Sequence, residues 1–436
     1  MSTRLDEVPP LTDADGAGGA LHRLVAELYP ICRSITGEGV RTTLRRLQQL
    51  IPLELVEVPS GTPVLDWEVP PEWNVREAWI ANSRGERVVD FRHHTLHVLN
   101  YSVPVRRRLS LAELRPHLHT LPDRPDWIPY RTSYYRPTWG FCLTHRQLES
   151  LPEGEYEVCI DSTLAPGHLT YGECVLPGQT PDEVLLSCHC CHPSLANDNC
   201  SALAVATALA ARLRGLKLRY TYRFLFIPGT IGSITWLARN RQRVDRIRHG
   251  LVLSCLGDPG GMTYKRSRRG DAEVDRAAAH VLRQAGPAHA ILDFVPYGYD
   301  ERQYCSPGFN LPVGCLTRTP NGRFPEYHTS ADNLDLVRPE ALADSLARLV
   351  DIVRVLEANR VYVNKSPYGE PRLGPRGLYG STGGDKGAVF DEMALLWVLN
   401  LSDGRHDLLA IADRAGLPFE KIAAAARALV SAGLLA

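Results

Sequence analysis

Hydrophobic and polar positions divide the chain into four textures. Residues 20–51 carry apolar side chains at helical spacing in ALHRLVAELYPICRSI, break at TGEG, and resume in VRTTLRRLQQLI, which predicts two helices. From about residue 55 the period shortens. LELVEVPSG, REAWIANSRGERVVDF, HTLHVLNYSVPV, GFCLTH and GEYEVCIDST are short alternating or β-branched runs punctuated by Gly, Pro and Asn, the pattern of an antiparallel β-rich segment. From about 182, strand and helix patterns alternate. EVLLSCH, SALAVATALAARLRG, RYTYRFLFIP, IGSITWLARNRQRV and HGLVLSCLGD are followed by DAEVDRAAAHVLRQAG, LPVGCLTR and the long RPEALADSLARLVDIVRVLEANR. This predicts a doubly wound α/β domain, with the β-rich segment inserted after its first helices. A Gly- and Pro-rich loop at 364–386 precedes three more helices, the last two in a helix-turn-helix pattern (DLLAIADRAGL and PFEKIAAAARAL). The expected division is a disordered leader at 1–19, an α/β domain from 20–54 and 160–363, an inserted β-rich domain at 55–159, and a linker with a C-terminal helical domain at 364–436.

Composition narrows the function classes. With 436 residues, 44% hydrophobic and 22% charged, the chain can bury two or three ordinary cores. Lys+Arg and Asp+Glu both count 49, so the formal net charge is zero. That balance argues against a nucleic-acid or membrane-surface footprint. The second helix of the helix-turn-helix offers phosphates only Lys421 and Arg427, which favours an interaction or structural module over DNA binding. No apolar run reaches the roughly 18 residues of a membrane span, and the polar N-terminus lacks a signal peptide's core, so a cytoplasmic protein is expected. The 11 cysteines are expected mainly as buried thiols. A homo-oligomer is left open.

Two stretches carry the chemistry. DEVLLSCHCCHPSLANDNCS, at 182–201, ends a strand and then places His189, His192 and Asp198 within ten positions. Imidazole nitrogens and carboxylate oxygens are zinc ligands, and α/β enzymes keep their sites beyond strand C-termini. The plainer alternative is a loop merely rich in His and Cys. The second stretch, 297–335, holds adjacent Asp300 and Glu301, and then His328 between Glu326 and Asp332. A late histidine can complete a site begun by His189 or His192 and Asp198, with Asp332 orienting its ring. Cys190, Cys191 or Cys305 is either a ligand or nucleophile or, more plainly, a buried thiol. The Pro-rich loop with Trp127, Tyr130, Tyr134, Tyr135 and Trp139 is either local packing or a substrate-pocket wall.

HCCHPSLANDNCSA, IPGTIGSITWL and PEYHTSADNL resemble the three site segments of the zinc-dependent aminopeptidases related to bacterial leucyl aminopeptidase. YPICRSITGEGVRTTL, GHLTYGECVLPG, CHPS, DERQYCSPGFNLPV and EYHTSADNL together resemble more closely an aminopeptidase-like family with a β-rich inserted domain and a C-terminal winged helix. The resemblance covers nearly all of the chain after residue 20. It implies a zinc-aminopeptidase-like α/β domain carrying both additions. It also maps a first ligand onto His189 or His192, the bridging Asp onto Asp198 and the late ligand onto His328.

Two departures follow from the same mapping. The paired-Glu segment falls on IPGTIGS, so the water-activating position is Gly229 and the neighbouring ligand position is Thr230. The second Asp ligand falls on Ser254, with Asp258 nearby. The resemblance then implies one Zn2+ ion rather than two. Glu301 or Asp300 is the expected substitute base, Arg302 the grip on a substrate carboxylate, and Tyr304 and Glu173 further substrate contacts. The expected function is a mononuclear zinc hydrolase cleaving an amide or peptide bond of an amino-acid conjugate, with a small molecule or peptide as substrate. The alternatives are a catalytically retired fold that binds a ligand or partner, and a zinc-dependent acyl transferase.

Overall fold

Every residue of the run Glu183–His189 is buried, because it lies inside a sheet covered on both faces, where a strand reads as continuously apolar. In the computed structural model, which describes residues 16–378 and 391–436, twelve strands position the site. They are β1 (Glu54–Pro59), β2 (Glu72–Ala81), β3 (Arg87–Asp90), β4 (Val105–Ser110), β5 (Glu155–Ala165), β6 (His168–Leu176), β7 (Glu183–His189), β8 (Thr221–Ile227), β9 (Ile247–Leu253), β10 (Met262–Lys265), β11 (His289–Leu292) and β12 (Val313–Thr317). Eight of them form one sheet in the order β1-β6-β8-β7-β9-β12-β10-β11. Its centre, β8-β7-β9-β12, is parallel. Beyond the centre, β1 and β6 on one side and β10 on the other run antiparallel to their inner neighbours.

The flanking helices in this unit include α1 (Ala17–Leu28), α2 (Glu38–Gln48), α3 (Ala202–Leu213) and α4 (Ile231–Asn240). Helix α3 is Ala-rich and buried along almost its whole length, which fits a helix packed close to the sheet. Helix α1 begins at Ala17, so the expected leader is shorter than 1–19, and its first fifteen residues lie outside those described. The strand read from LELVEVPSG belongs to the large sheet and not to the insertion, because β1 pairs with β6 from Glu54↔Glu173 to Pro59↔His168.

The inserted segment forms an antiparallel four-stranded sheet in the order β3-β2-β5-β4. It folds onto the same core as the large sheet. Trp73, Ile80, Tyr156 and Val158 of the insertion share a buried cluster with Leu185, Leu225 and Val252 of the central strands. A short antiparallel contact then ties its Pro-rich loop to the segment holding His328. Pro129 pairs with Thr329, Tyr130 N–H donates to the His328 carbonyl at 2.8 Å, and Ser330 N–H donates to the Ile128 carbonyl at 2.8 Å.

The described residues divide into two compact units, 16–272 with 288–347, and 273–287 with 348–378 and 391–436. The second unit contains the helix Glu273–Gln284 (α5). Its three C-terminal helices are Glu392–Leu401, Leu408–Ala415 and Phe419–Ser431, and an antiparallel pair, Val361–Val363 with Asp403–Asp407, forms the wing. Asp407 caps the middle helix through Ala410 N–H at 2.7 Å and pairs with Arg276 at 2.6 Å. Gly416 ends that helix at φ 64°, a conformation that suits glycine. Lys421 of the last helix is paired with Asp391 at 2.9 Å. Among the described residues no helix is long and apolar enough to cross a membrane.

Candidate functional site

The C-terminal ends of the parallel strands deliver the site. Strand β7 ends at His189, β8 runs out at Ile227 just before Pro228 and Gly229, and β12 ends at Thr317. Past β7 the chain makes an irregular turn at Ala196–Ser201, with non-helical backbone at Asp198 and Asn199, before α3 begins. Buried polar groups fix this turn. Asp332 accepts the N–H groups of Asn197 at 2.6 Å and Asp198 at 3.0 Å. Asn199 donates to the His189 and Leu253 carbonyls at 3.1 and 3.2 Å. Asp332 therefore orients the backbone around Asp198 and not, as expected, the ring of His328. Burial pushes its carboxyl up to about 8, with the Asp198 charge adding to the rise against the N–H bonds.

Three ligand atoms converge on this turn. Asp198 Oδ2 lies 3.3 Å from His192 Nδ1 and 3.1 Å from His328 Nε2. All three atoms are buried and none has a hydrogen-bond partner. Buried polar atoms are nearly always satisfied, so three such atoms meeting at these distances are a set that could hold a shared cation. Burial alone would raise the Asp198 carboxyl. The adjoining His192 and His189 outweigh it and hold the carboxyl well below the usual range. Burial lowers His328 and favours its neutral, ligating form.

His189 has a different part. Its ligand atom is close enough to join His192 and Asp198 in one cluster within 4.8 Å, yet both ring nitrogens are engaged. Nε2 lies 2.7 Å from Asp198 Oδ1, and Nδ1 lies 3.1 Å from the Asn199 amide nitrogen. An amide N–H donating to Nδ1 leaves the proton on Nε2, which then donates to Asp198. Burial lowers His189 to about 4, so the ring is neutral. His189 thus holds Asp198 in place, and His192, Asp198 and His328 form the convergent set.

His328 reaches the set at a backbone φ of 57°, a left-handed conformation that costs a non-glycine residue roughly 1–2 kcal/mol. The Tyr130 bond to its carbonyl and the Tyr327 ring stacked 3.9 Å from its own ring hold it there. On the other side Arg33, buried, donates to the His192 carbonyl at 2.8 Å.

A pocket of about 260 Å³ lies beside this set, with His192 and His328, but not Asp198, among its lining residues. His192 and His328 form its floor, and Tyr130, Tyr134, Tyr135 and Trp67 line it from the insertion. The aromatic loop is therefore a pocket wall in part. Trp139 is instead stacked on His117 at 3.6 Å, and Trp127 lies under Arg124. The opposite side carries Gly229, Thr230, Tyr299 and Arg302. No Asp or Glu is among the described lining residues.

Gly229 is a glycine for a visible reason. A Cβ built there would collide with Tyr299 Cε1. The Tyr299 ring fills the space into which a longer side chain at 229 would project. Its hydroxyl lies 3.3 Å from His192 Nε2, and its ring lies over His189 at 3.8 Å. With His192 Nδ1 turned to the ligand set, Nε2–H donates to Tyr299 Oη. Burial raises the phenol well above its usual value, so it keeps its own proton.

The residues expected to replace the missing base lie elsewhere. Glu301, at the start of a short helix α6 (Glu301–Tyr304), is buried, paired with Lys265, and accepts Tyr299 N–H at 3.0 Å. Asp300 is also buried. It accepts from Ser233 at 2.8 Å, and burial raises its carboxyl to about 7. Tyr304 bonds to Ser187 at 2.9 Å within the core, and Glu173 is held by Arg223 and the Trp236 ring N–H. Arg302 alone of these five lines the pocket. Asp258 is satisfied by Asn197 and Thr319, at 3.1 and 2.6 Å. The thiols of Cys190 and Cys191 are buried and pushed up by that burial, Cys191 to about 12, which opposes a thiolate role. Cys305 is also buried, with its thiol directed at the Val313 carbonyl.

Sequence reasoning did not single out Tyr299, Trp67 or Arg33. Tyr299 lies within the stretch 297–335, but only its contact with Gly229, 70 positions earlier, gives it meaning.

Residues 22–359 match the family described as "Domain of unknown function (DUF4910)", and residues 360–436 match the winged helix-turn-helix family. A Clostridium acetobutylicum protein named "Putative polysaccharide biosynthesis protein with aminopeptidase-like domain" is 49% identical over 425 residues, 98% of each chain. A crystal structure described as a "putative peptidase" from the same organism superposes with a TM-score of 0.93 at 48% identity, over 97% of each chain. The zinc aminopeptidase BSAP of Bacillus subtilis shares the fold at 12% identity, with a TM-score of 0.58 over 80% of this chain and 95% of its own. The chain thus belongs to the DUF4910 family, with an aminopeptidase-like α/β fold and a C-terminal winged helix.

Proposed function

We propose that the chain is a single-zinc amide hydrolase acting on an amino-acid conjugate, with His192, Asp198 and His328 as the metal ligands. The observation that carries this reading is the convergence of three buried ligand atoms, with no hydrogen-bond partner outside their own set, beside a pocket that His192 and His328 line. A zinc ion held by two imidazoles and a carboxylate supplies Lewis acidity and lowers the pKa of a water to about 7. The protein's own residues do the rest. His189 and Asp332 fix Asp198 from behind, as the outer partners of metal sites do. Tyr299, neutral and already accepting from His192, can direct its hydroxyl proton at a substrate carbonyl oxygen. Arg302 meets a substrate carboxylate. In the overall reaction the amide C–N bond breaks, the carbonyl carbon gains the hydroxyl of water, and the nitrogen leaves as an amine carrying the remaining proton. The Clostridium relative's name suggests polysaccharide biosynthesis as the setting.

A second reading, acyl transfer, is favoured by the lack of a carboxylate among the described lining residues. A neutral amine can attack through its lone pair before it loses a proton, whereas water is a far weaker nucleophile until it is deprotonated. Zinc content of the full chain after dialysis against the metal, together with product analysis of aminoacyl amides in the presence of competing amines, tests both readings. One bound zinc per chain and free acid as the product are expected. Amide exchange would favour transfer. No zinc, or no turnover of any amide or amine, would sink the enzymatic reading.

A further inference from the structure

The pocket's outer rim is built unlike its floor. Trp67 sits on a tight hairpin in which Pro63 and Val64 pair with Glu68 and Trp67 across a two-residue turn. Trp67 is 49% exposed, and beside it Tyr135 is 54% exposed. The two rings lie 5.4 Å apart, tilted by 55°. Both line the same pocket as His192 and His328. Large aromatic side chains are usually buried, and a soluble protein that leaves two of them exposed at the mouth of a site holds them ready for a ligand. Just inside the rim are hydroxyls on Tyr134 and Thr132, and the Tyr130 and Tyr134 hydroxyls are bonded to each other at 2.5 Å.

We propose that Trp67 and Tyr135 form a subsite for a sugar ring, and that the amide over the metal ligands joins an acyl group to an amino sugar. A pyranose has an apolar C–H face and a rim of hydroxyls. The first suits an open aromatic face, and the second suits the phenol and threonine hydroxyls and nearby solvent. An apolar amino-acid side chain would instead gain most from a closed pocket, which the exposed rim does not offer. The volume, about 260 Å³, is below that of drug-sized sites and takes one ring with its amide. This proposal rests on the hydrolase reading for the identity of the scissile bond, but the sugar contact stands on the rim alone.

The test is binding of N,N′-diacetylchitobiose to the zinc-loaded full chain, followed by ligand-observed NMR and titration calorimetry. Zinc content is measured in parallel. Saturable binding is expected, weakened at least tenfold by Trp67→Ala and largely kept by Trp67→Phe, with zinc content equal in all three proteins. The sugar subsite is overturned if the wild-type chain does not bind the disaccharide, or if Trp67→Ala binds it as well as wild type does. Absent zinc with intact, Trp67-dependent sugar binding would overturn the hydrolase reading and leave the subsite standing.

Discussion

The two sides of the pocket floor were built by different means. On one side His192 and Asp198 come from a single turn and are met by His328 through a contact with the insertion. On the other, the chain supplies a glycine, and a distant tyrosine fills the space beside it. The first side is a set of ligands whose every neighbour restrains them: His189, Asp332, Arg33 and Tyr130 each fix one. The second side offers hydroxyls and a guanidinium but, among the described lining residues, no carboxylate. On the proposed function, the side that would hold a metal is complete while the side that would move protons is not. Zinc binding and ordinary peptide hydrolysis should therefore be tested separately.

Removing His328 should have the largest effect. His328→Ala takes away one of three ligands, so the loss in zinc affinity should exceed the roughly 10–100-fold typical of removing an outer partner. Zinc titration with a competing chelator reads this directly. Near-normal affinity would mean that the cradle is not the one formed by His192, Asp198 and His328. Tyr299→Phe belongs in the same experiment, since it should leave zinc affinity within a few-fold while lowering turnover.

Glu301 gives the next test, because it was the natural base from the sequence and is paired with Lys265 away from the pocket in the fold. Glu301→Gln leaves Lys265 facing a neutral partner. Breaking a buried pair costs about 3–5 kcal/mol, and the partial exposure of Lys265 argues for the lower end. Urea unfolding should show the loss, while the folded fraction keeps its zinc and its kcat. A stable variant with kcat reduced by orders of magnitude would return Glu301 to the role of base and undo the contrast between the two sides.

Much of this was legible in the chain, and what was not has a physical cause. The continuous apolar runs of the central strands gave the α/β core, and the short alternating runs gave the insertion, since burial on two faces or one sets those patterns. Strands β10 and β11 escaped because four residues each cannot display a period. The ligand turn was legible because its residues lie within ten positions. The sequence leaves both His189 and His192 as candidates, and only the fold shows that both ring nitrogens of His189 are engaged, by Asp198 and Asn199. Asp300 and Glu301 illustrate the opposite case: adjacent carboxylates look chemical in a sequence, and only packing shows that Ser233 bonds one oxygen of Asp300, that Lys265 pairs with Glu301, and that neither lines the pocket.

The smallest predicted effect is the most diagnostic of that second side. If Tyr299 and Gly229 are two halves of one packing solution, Gly229→Ala should destabilise the wild-type chain by about 1–3 kcal/mol, the usual cost of overpacking. The added methyl would meet the ring at a separation no real contact tolerates. In a Tyr299→Ala background the same substitution should cost almost nothing, because the ring is gone. The coupling energy of this double-mutant cycle, from denaturant midpoints, should therefore be close to the whole single-mutant penalty. Additive effects of the two substitutions would mean that the glycine is there for another reason and that Tyr299 did not take over the vacated space.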